Sequence, residues 1–203
     1  MEHGPMYYEA PSYYDPQPGH PPAVFLAGGI TNCPRWHDTA IEVIENEAGD
    51  VVILNPNRAD FPIGDPGAGW EQVSWEQHHL HLPRVLTLCW FPACDPRLTT
   101  QPIAMFELGQ ALGEHRPLVV GADPDYPREA DVRMLCALNA PQLTVRSTLT
   151  DTLRDALGWL ALPTTPTRGS ITCPQCRYTS YHPEDVRQGY CGHCHAWTSP
   201  ASA

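Results

Sequence analysis

AVFLAGG (residues 23–29) sets five apolar side chains ahead of two glycines, the form of a strand buried on both faces and stopped by a tight turn. Polar residues follow, then a stretch of helical periodicity at 36–48, then VVILNP (51–56), a second buried-strand run. Strand, helix and strand in this order make a β-α-β unit, and the unit recurs. WEQVSWEQHHL (70–80) reads as helix, RVLTLCWF (84–91) as strand, IAMFELGQALGE (103–114) as helix and PLVVGA (117–122) as strand. READVRMLCALN (128–139), QLTVR (142–146) and TLTDTLRDALGWLAL (148–162) add a helix, a strand and a closing amphipathic helix.

The predicted fold is α/β: a five-stranded, doubly wound parallel sheet of Rossmann or flavodoxin-like type over residues 23–162. Right-handed crossovers place its helices on both faces. Ligands of such sheets bind beyond the carboxyl ends of the strands, where the strand order reverses. Residues 1–22 are rich in Pro and Tyr without a hydrophobic period, and are expected to form a disordered or loosely docked tail. The Pro, Thr and Gly content of 163–170 predicts a linker to a small module at 171–198.

That module carries CPQC and CGHC, two C-x-x-C knuckles separated by 14 residues (177–190). Paired knuckles at this spacing predict a zinc ribbon, with one structural Zn²⁺ held by Cys173, Cys176, Cys191 and Cys194. Four sulfur ligands leave no open position, so this zinc takes no part in chemistry, and no cofactor is expected in the reaction. The other four cysteines, Cys33, Cys89, Cys94 and Cys136, are scattered through apolar surroundings and read as reduced thiols.

The 12 basic and 23 acidic residues give a formal charge of −11, which disfavours nucleic acid and anionic membrane surfaces as partners. The module itself has Arg168, Arg177 and Arg187 against Glu184 and Asp185, too few cations for a strong phosphate binder. No apolar run reaches the roughly 18–20 residues of a spanning helix, and the N-terminus lacks a basic and apolar leader. The expected location is cytoplasmic.

TTQPIAMFELGQAL (99–112) sets Glu107 among apolar neighbours at the start of a helix that borders the predicted crevice. A glutamate there is either a capping or ion-paired group or a catalytic carboxylate. FLAGGIT (25–31), NPNRADFP (55–62), WEQHHL (75–80), CWFP (89–92) and above all MFELGQAL (105–112) resemble the nucleoside 2-deoxyribosyltransferase-like superfamily, whose members include transferases and nucleotide N-glycoside hydrolases.

The resemblance covers roughly 23–160. It implies that Glu107 is the nucleophile that attacks the anomeric carbon of a nucleoside or nucleotide, and that Glu76 handles the sugar or the leaving base. It also implies assembly into a homo-oligomer. Where the transferases carry an aspartate just before the nucleophile, this chain has Gln101. Gly28 and Gly29, through their backbone N–H groups, and Asn55, Asp60, Thr100 and Gln101 are the candidate substrate contacts. Turn chemistry and helix capping are the alternatives for the polar residues of this set. Two other classes of function stay open: a non-catalytic nucleotide sensor that contacts a partner through the ribbon, and a nucleic-acid-binding protein led by the ribbon.

Overall fold

A computed structural model of the chain describes residues 6–17, 19–62, 65–161, 171–176, 179–180, 189–191, 193–194 and 196–197. The expected linker 163–170 lies outside the described residues, as do residues 1–5 and the module's Arg168, Arg177, Arg187, Glu184 and Asp185. The contacts divide the chain into two units, Met1–Leu162 and Pro163–Ala203.

The first unit runs β1 (Met6–Glu9), β2 (Ala23–Gly28), α1 (Trp36–Glu47), β3 (Val52–Asn55), α2 (Pro66–Leu80), β4 (Val85–Phe91) and α3 (Pro102–Gly113). It continues with β5 (Leu118–Ala122), α4 (Glu129–Asn139), β6 (Val145–Arg146) and α5 (Leu149–Leu160). All six strands pair in parallel, in the order β1-β3-β2-β4-β5-β6. From β2 the chain steps outward to β3, then reverses and crosses to β4 on the other side of β2. Right-handed crossovers in opposite directions put the helices on opposite faces.

The cores follow that rule. Phe25 and Ala27 of β2 pack with Trp75 of α2, Leu108 of α3 and Val132 of α4. Val24 and Leu26 point the other way, to Trp36 and Ala40 of α1 and to Leu153 and Ala156 of α5. The alternation along AVFLA thus feeds two cores at once, as a doubly covered strand must.

Two expectations need correction. The sheet has six strands, not five, and the sixth lies in the segment expected to form a loose tail. Met6–Glu9 runs parallel to Val52–Asn55 along the sheet edge, and Tyr14 and Ala10 are buried in the core. The segment lacks a long hydrophobic period because it is anchored by hydrogen bonds more than by its own apolar face. The Trp75 indole donates to Ser12 O at 2.8 Å, and Ala10 N–H donates to Asn55 O at 3.1 Å. Helix α2 also starts earlier than the apolar pattern suggests, because the Asp65 side chain accepts from Gly67 N–H at 2.8 Å and a proline opens the first turn.

His79, fully buried on α2, ties this segment down. Its Nδ1 lies 2.7 Å from Trp75 O and its Nε2 accepts the Tyr14 N–H at 2.9 Å. A backbone N–H can only donate, so Nε2 must be bare and Nδ1 must carry the hydrogen.

In the second unit β7 (Ile171–Thr172) pairs antiparallel with β8 (Thr179–Ser180), and β9 (Tyr190–Cys191) with β10 (Ala196–Trp197). No helix among the described residues is long and apolar enough to cross a membrane.

Burial holds the His79 imidazole at about 4, below its ordinary 6.5. The folded state therefore resists protonation. The Tyr14 contact contributes fully above pH 6.5 and is lost as pH falls toward 4. Thermal melts across this window should show a loss of roughly 1–3 kcal/mol that His79→Phe, which cannot titrate, does not share; equal pH slopes would refute this tether.

Candidate functional site

Strand order reverses between β2 and β4, so the crevice lies beyond Gly28 and Phe91, flanked by the loops 29–35 and 92–101. Gln101 links the two loops. It caps α3 in a left-handed conformation (φ 53°, ψ 53°) ahead of Pro102. Its Nε2 donates to Pro92 O at 2.8 Å, and its Oε1 is buried without a partner. On the other side the Gln101 carboxamide presses on Gly29. A Cβ at that glycine would sit 2.5 Å from Gln101 Cδ and 2.6 Å from Cys33 Sγ.

Gly28 is equally crowded, since its Cβ would meet Trp90 O at 2.2 Å and the Trp36 ring at 2.7 Å. The close approach that these glycines allow is made by protein atoms. Gly109, in contrast, faces open space.

Helix α3 turns Ala104, Glu107, Leu108, Ala111 and Leu112 inward. This stripe carries Glu107 (4% exposed) into the core beside Glu76 of α2 (7% exposed). Burial first, and then the Glu76 charge, push the Glu107 carboxyl up to about 8 against the opposing Arg116. Glu76 is also raised by burial, against a hydrogen bond from Gln72 Nε2 at 2.8 Å. Below Glu107 the buried Cys89 thiol is raised by desolvation and by the Glu107 charge. Two desolvated carboxyls, with the Glu76 charge raising Glu107, hold a proton at neutral pH. This environment suits a group that ionises only when positive charge develops beside it.

The remaining predicted residues are dispersed. The Asn55 side chain is occupied within the protein, donating to Tyr7 Oη at 2.9 Å and accepting from Asn57 N–H at 3.0 Å. Asp60 is exposed on the loop after β3. Thr100 has an exposed side chain, and its carbonyl accepts from Tyr126 Oη at 2.8 Å. Two surface depressions of about 370 and 300 Å³ lie elsewhere. The first is lined by Tyr7, Asp38 and Ile41, the second by Leu112, Arg116 and Trp159, and neither includes Glu76 or Glu107. Sequence reasoning missed Gln72 and Arg116, the two polar partners of the carboxyl pair. Gln72 lies one turn before Glu76 and so was within reach of helical spacing; Arg116 sits after the helix, where nothing in the pattern marks it.

In the second unit all four Cys Sγ atoms lie within 4.8 Å of one another. Cys173 and Cys194 are 3.5 Å apart, and Cys176 and Cys191 3.6 Å. Sulfurs at about 2.3 Å from a tetrahedral ion stand roughly 3.8 Å apart, so the cluster fits one metal ion.

Because the folded state raises the Glu107 pKa from 4.5 to about 8, the stability tied to its neutral form is complete below 4.5 and is lost as pH rises through 8. Glu107→Gln keeps the shape without the charge. Its melting temperature should decline less than that of the unaltered protein over this range, and parallel declines would refute a buried, protonated Glu107.

No curated protein matches the chain. A sequence model described as nucleoside 2-deoxyribosyltransferase like matches residues 21–126, just over half of the 203 residues. The matched segment runs from β2 through α3 to Tyr126 and so contains the switch point and both carboxyls. The chain belongs to the nucleoside 2-deoxyribosyltransferase-like family.

Proposed function

We propose that the protein cleaves or transfers at the N-glycosidic bond of a nucleoside or nucleotide, with Glu107 as nucleophile and Glu76 as its acid–base partner. The observation that supports this reading is the buried Glu76–Glu107 pair within the matched segment of a chain of this family. A single proton on the pair serves the reaction. In the reacting form the proton has passed from Glu107 to Glu76, and the Glu107 carboxylate bonds to the anomeric carbon while the C–N bond breaks. The departing base takes the proton from Glu76. Glu76, now a carboxylate, then takes a proton from water or from an incoming base as that group displaces Glu107.

Gln101 is the proposed polar contact to the ligand, since its buried Oε1 awaits a donor. Gly28 and Gly29 form the floor of the crevice, and Thr100 stands at its rim. Asn55 shapes the loop that bears Asp60. Entry to the carboxyls requires the loops 29–35 and 92–101 to part, because Gln101, Cys33 and Trp36 fill the space beside the two glycines.

The second unit takes zinc in a structural role through Cys173, Cys176, Cys191 and Cys194. The free thiols elsewhere in the chain support a reducing, cytoplasmic setting. Exposed Trp70 (80%), Val73, Ile103 and Phe106 on α2 and α3 support a homo-oligomer.

Chromatography of incubations with ribo- and deoxyribonucleosides and their 5′-monophosphates, with and without a second base, tests the reaction. Free base or a new nucleoside should appear, and Glu107→Gln should lower the rate by roughly a thousandfold or more and Glu76→Gln by roughly 10²–10⁴-fold. The rate should fall as pH rises above about 8, where the pair loses its proton. No cleavage across the panel, with ligand-induced thermal stabilisation retained, would favour a nucleotide sensor instead.

Elemental analysis should find one zinc per chain. Cys176→Ser should lower that stoichiometry and leave the melting of the first unit unchanged; zinc retained in full by this variant would refute the four-thiolate site.

A further inference from the structure

Two of the scattered cysteines meet at the crevice. Cys33 lies on the loop that leaves β2, Cys94 on the loop that leaves β4, and both are half-buried. Gln101 holds them together. Its Nε2 lies 3.4 Å from Cys94 Sγ, while Cys33 Sγ and the Gln101 carboxamide press on the same face of Gly29. Burial first, and then the neighbouring Cys94, raise the Cys33 thiol to about 11.

We propose that Cys33 and Cys94 form a redox-sensitive thiol pair, which a low-molecular-weight disulfide converts to an intramolecular disulfide that fastens the two loops across the crevice. Their place gives the bond a consequence. These loops must part for a ligand to reach Glu107, so linking them shuts the entrance. This functional part rests on the proposed reaction, whereas the bond itself does not.

Cys94 attacks first, since Gln101 directs an N–H group at its sulfur. The Cys94 thiolate displaces one thiolate from the small disulfide and becomes a mixed disulfide. Cys33, giving up its proton, then attacks the Cys94 sulfur and expels the second thiolate. Two protein thiols are oxidised and one small disulfide is reduced to two thiols. Cys89 and Cys136, buried in the core, serve as controls that should not react.

The test uses the full zinc-loaded chain incubated with oxidised glutathione and mapped by tryptic peptides under non-reducing conditions. Fragment 85–97 contains both Cys89 and Cys94, so fragmentation between them assigns the bond. The expected product links Cys33 to Cys94 within one chain, and Cys33→Ser should instead retain glutathione on Cys94. Separate mixed disulfides at the two positions, or two free thiols in a protein of unchanged melting temperature, would overturn the pair.

In the activity arm, oxidation should suppress base release at least tenfold, reversibly with dithiothreitol. The Cys33→Ser/Cys94→Ser variant should be insensitive to the oxidant. A mapped bond without any change in activity would overturn the shut entrance. A reduced protein that cleaves nothing would count against the proposed reaction and leave the mapping to judge the thiol pair.

Discussion

The reversal of strand order at β2 is the constraint from which the rest follows. A right-handed crossover to β3 on one side and to β4 on the other forces α1 and α2 to opposite faces and leaves the carboxyl ends of β2 and β4 without a helix across them. The polar contacts around Gly28 and Gly29 are set by the two loops that leave those ends. Gln101 spans them, Gly28 and Gly29 make room for the span, and α3 begins where the second loop stops.

The burial of Glu76 and Glu107 is costly in a fold that has ample apolar side chains for the same positions. An ionised carboxylate in such surroundings is unfavourable by several kcal/mol, and the chain meets this by keeping a proton on the pair and not by supplying a matched cation. Arg116, a nearby cation, is itself lowered by desolvation, pairs with Glu114 at 3.0 Å and directs Nη1 to Leu80 O. Local stability is thus subordinate here to keeping a carboxyl pair inside the core.

Much of this was legible in the sequence. Apolar runs alternating with helical stretches identified β2 to β6 and their helices, and the apolar neighbours of Glu107 singled it out on α3. The N-terminal strand was not legible, because MYYE is short and its fitness depends on the edge of β3 and on His79, both distant in sequence. Sequence alone suggested that Gly28 and Gly29 leave space for a ligand. The structure fills that space with Trp90, Trp36, Gln101 and Cys33, a result of tertiary packing that no local pattern encodes. Asn55 is similar: its use by Tyr7 requires a strand that the sequence did not reveal.

Strand β1 has one further implication, for the order in which the chain can assemble on the ribosome. Its only partner in the sheet is β3, so Met6 must wait until Val52 has been made before its backbone can pair. Residues 6–9 thus stay unpaired while 10–51 are made, and over that interval Tyr7 and Tyr8 stand available to chaperones. Once docked, the same strand covers the flank of β3, so that edge is closed by residues made before the strand they protect.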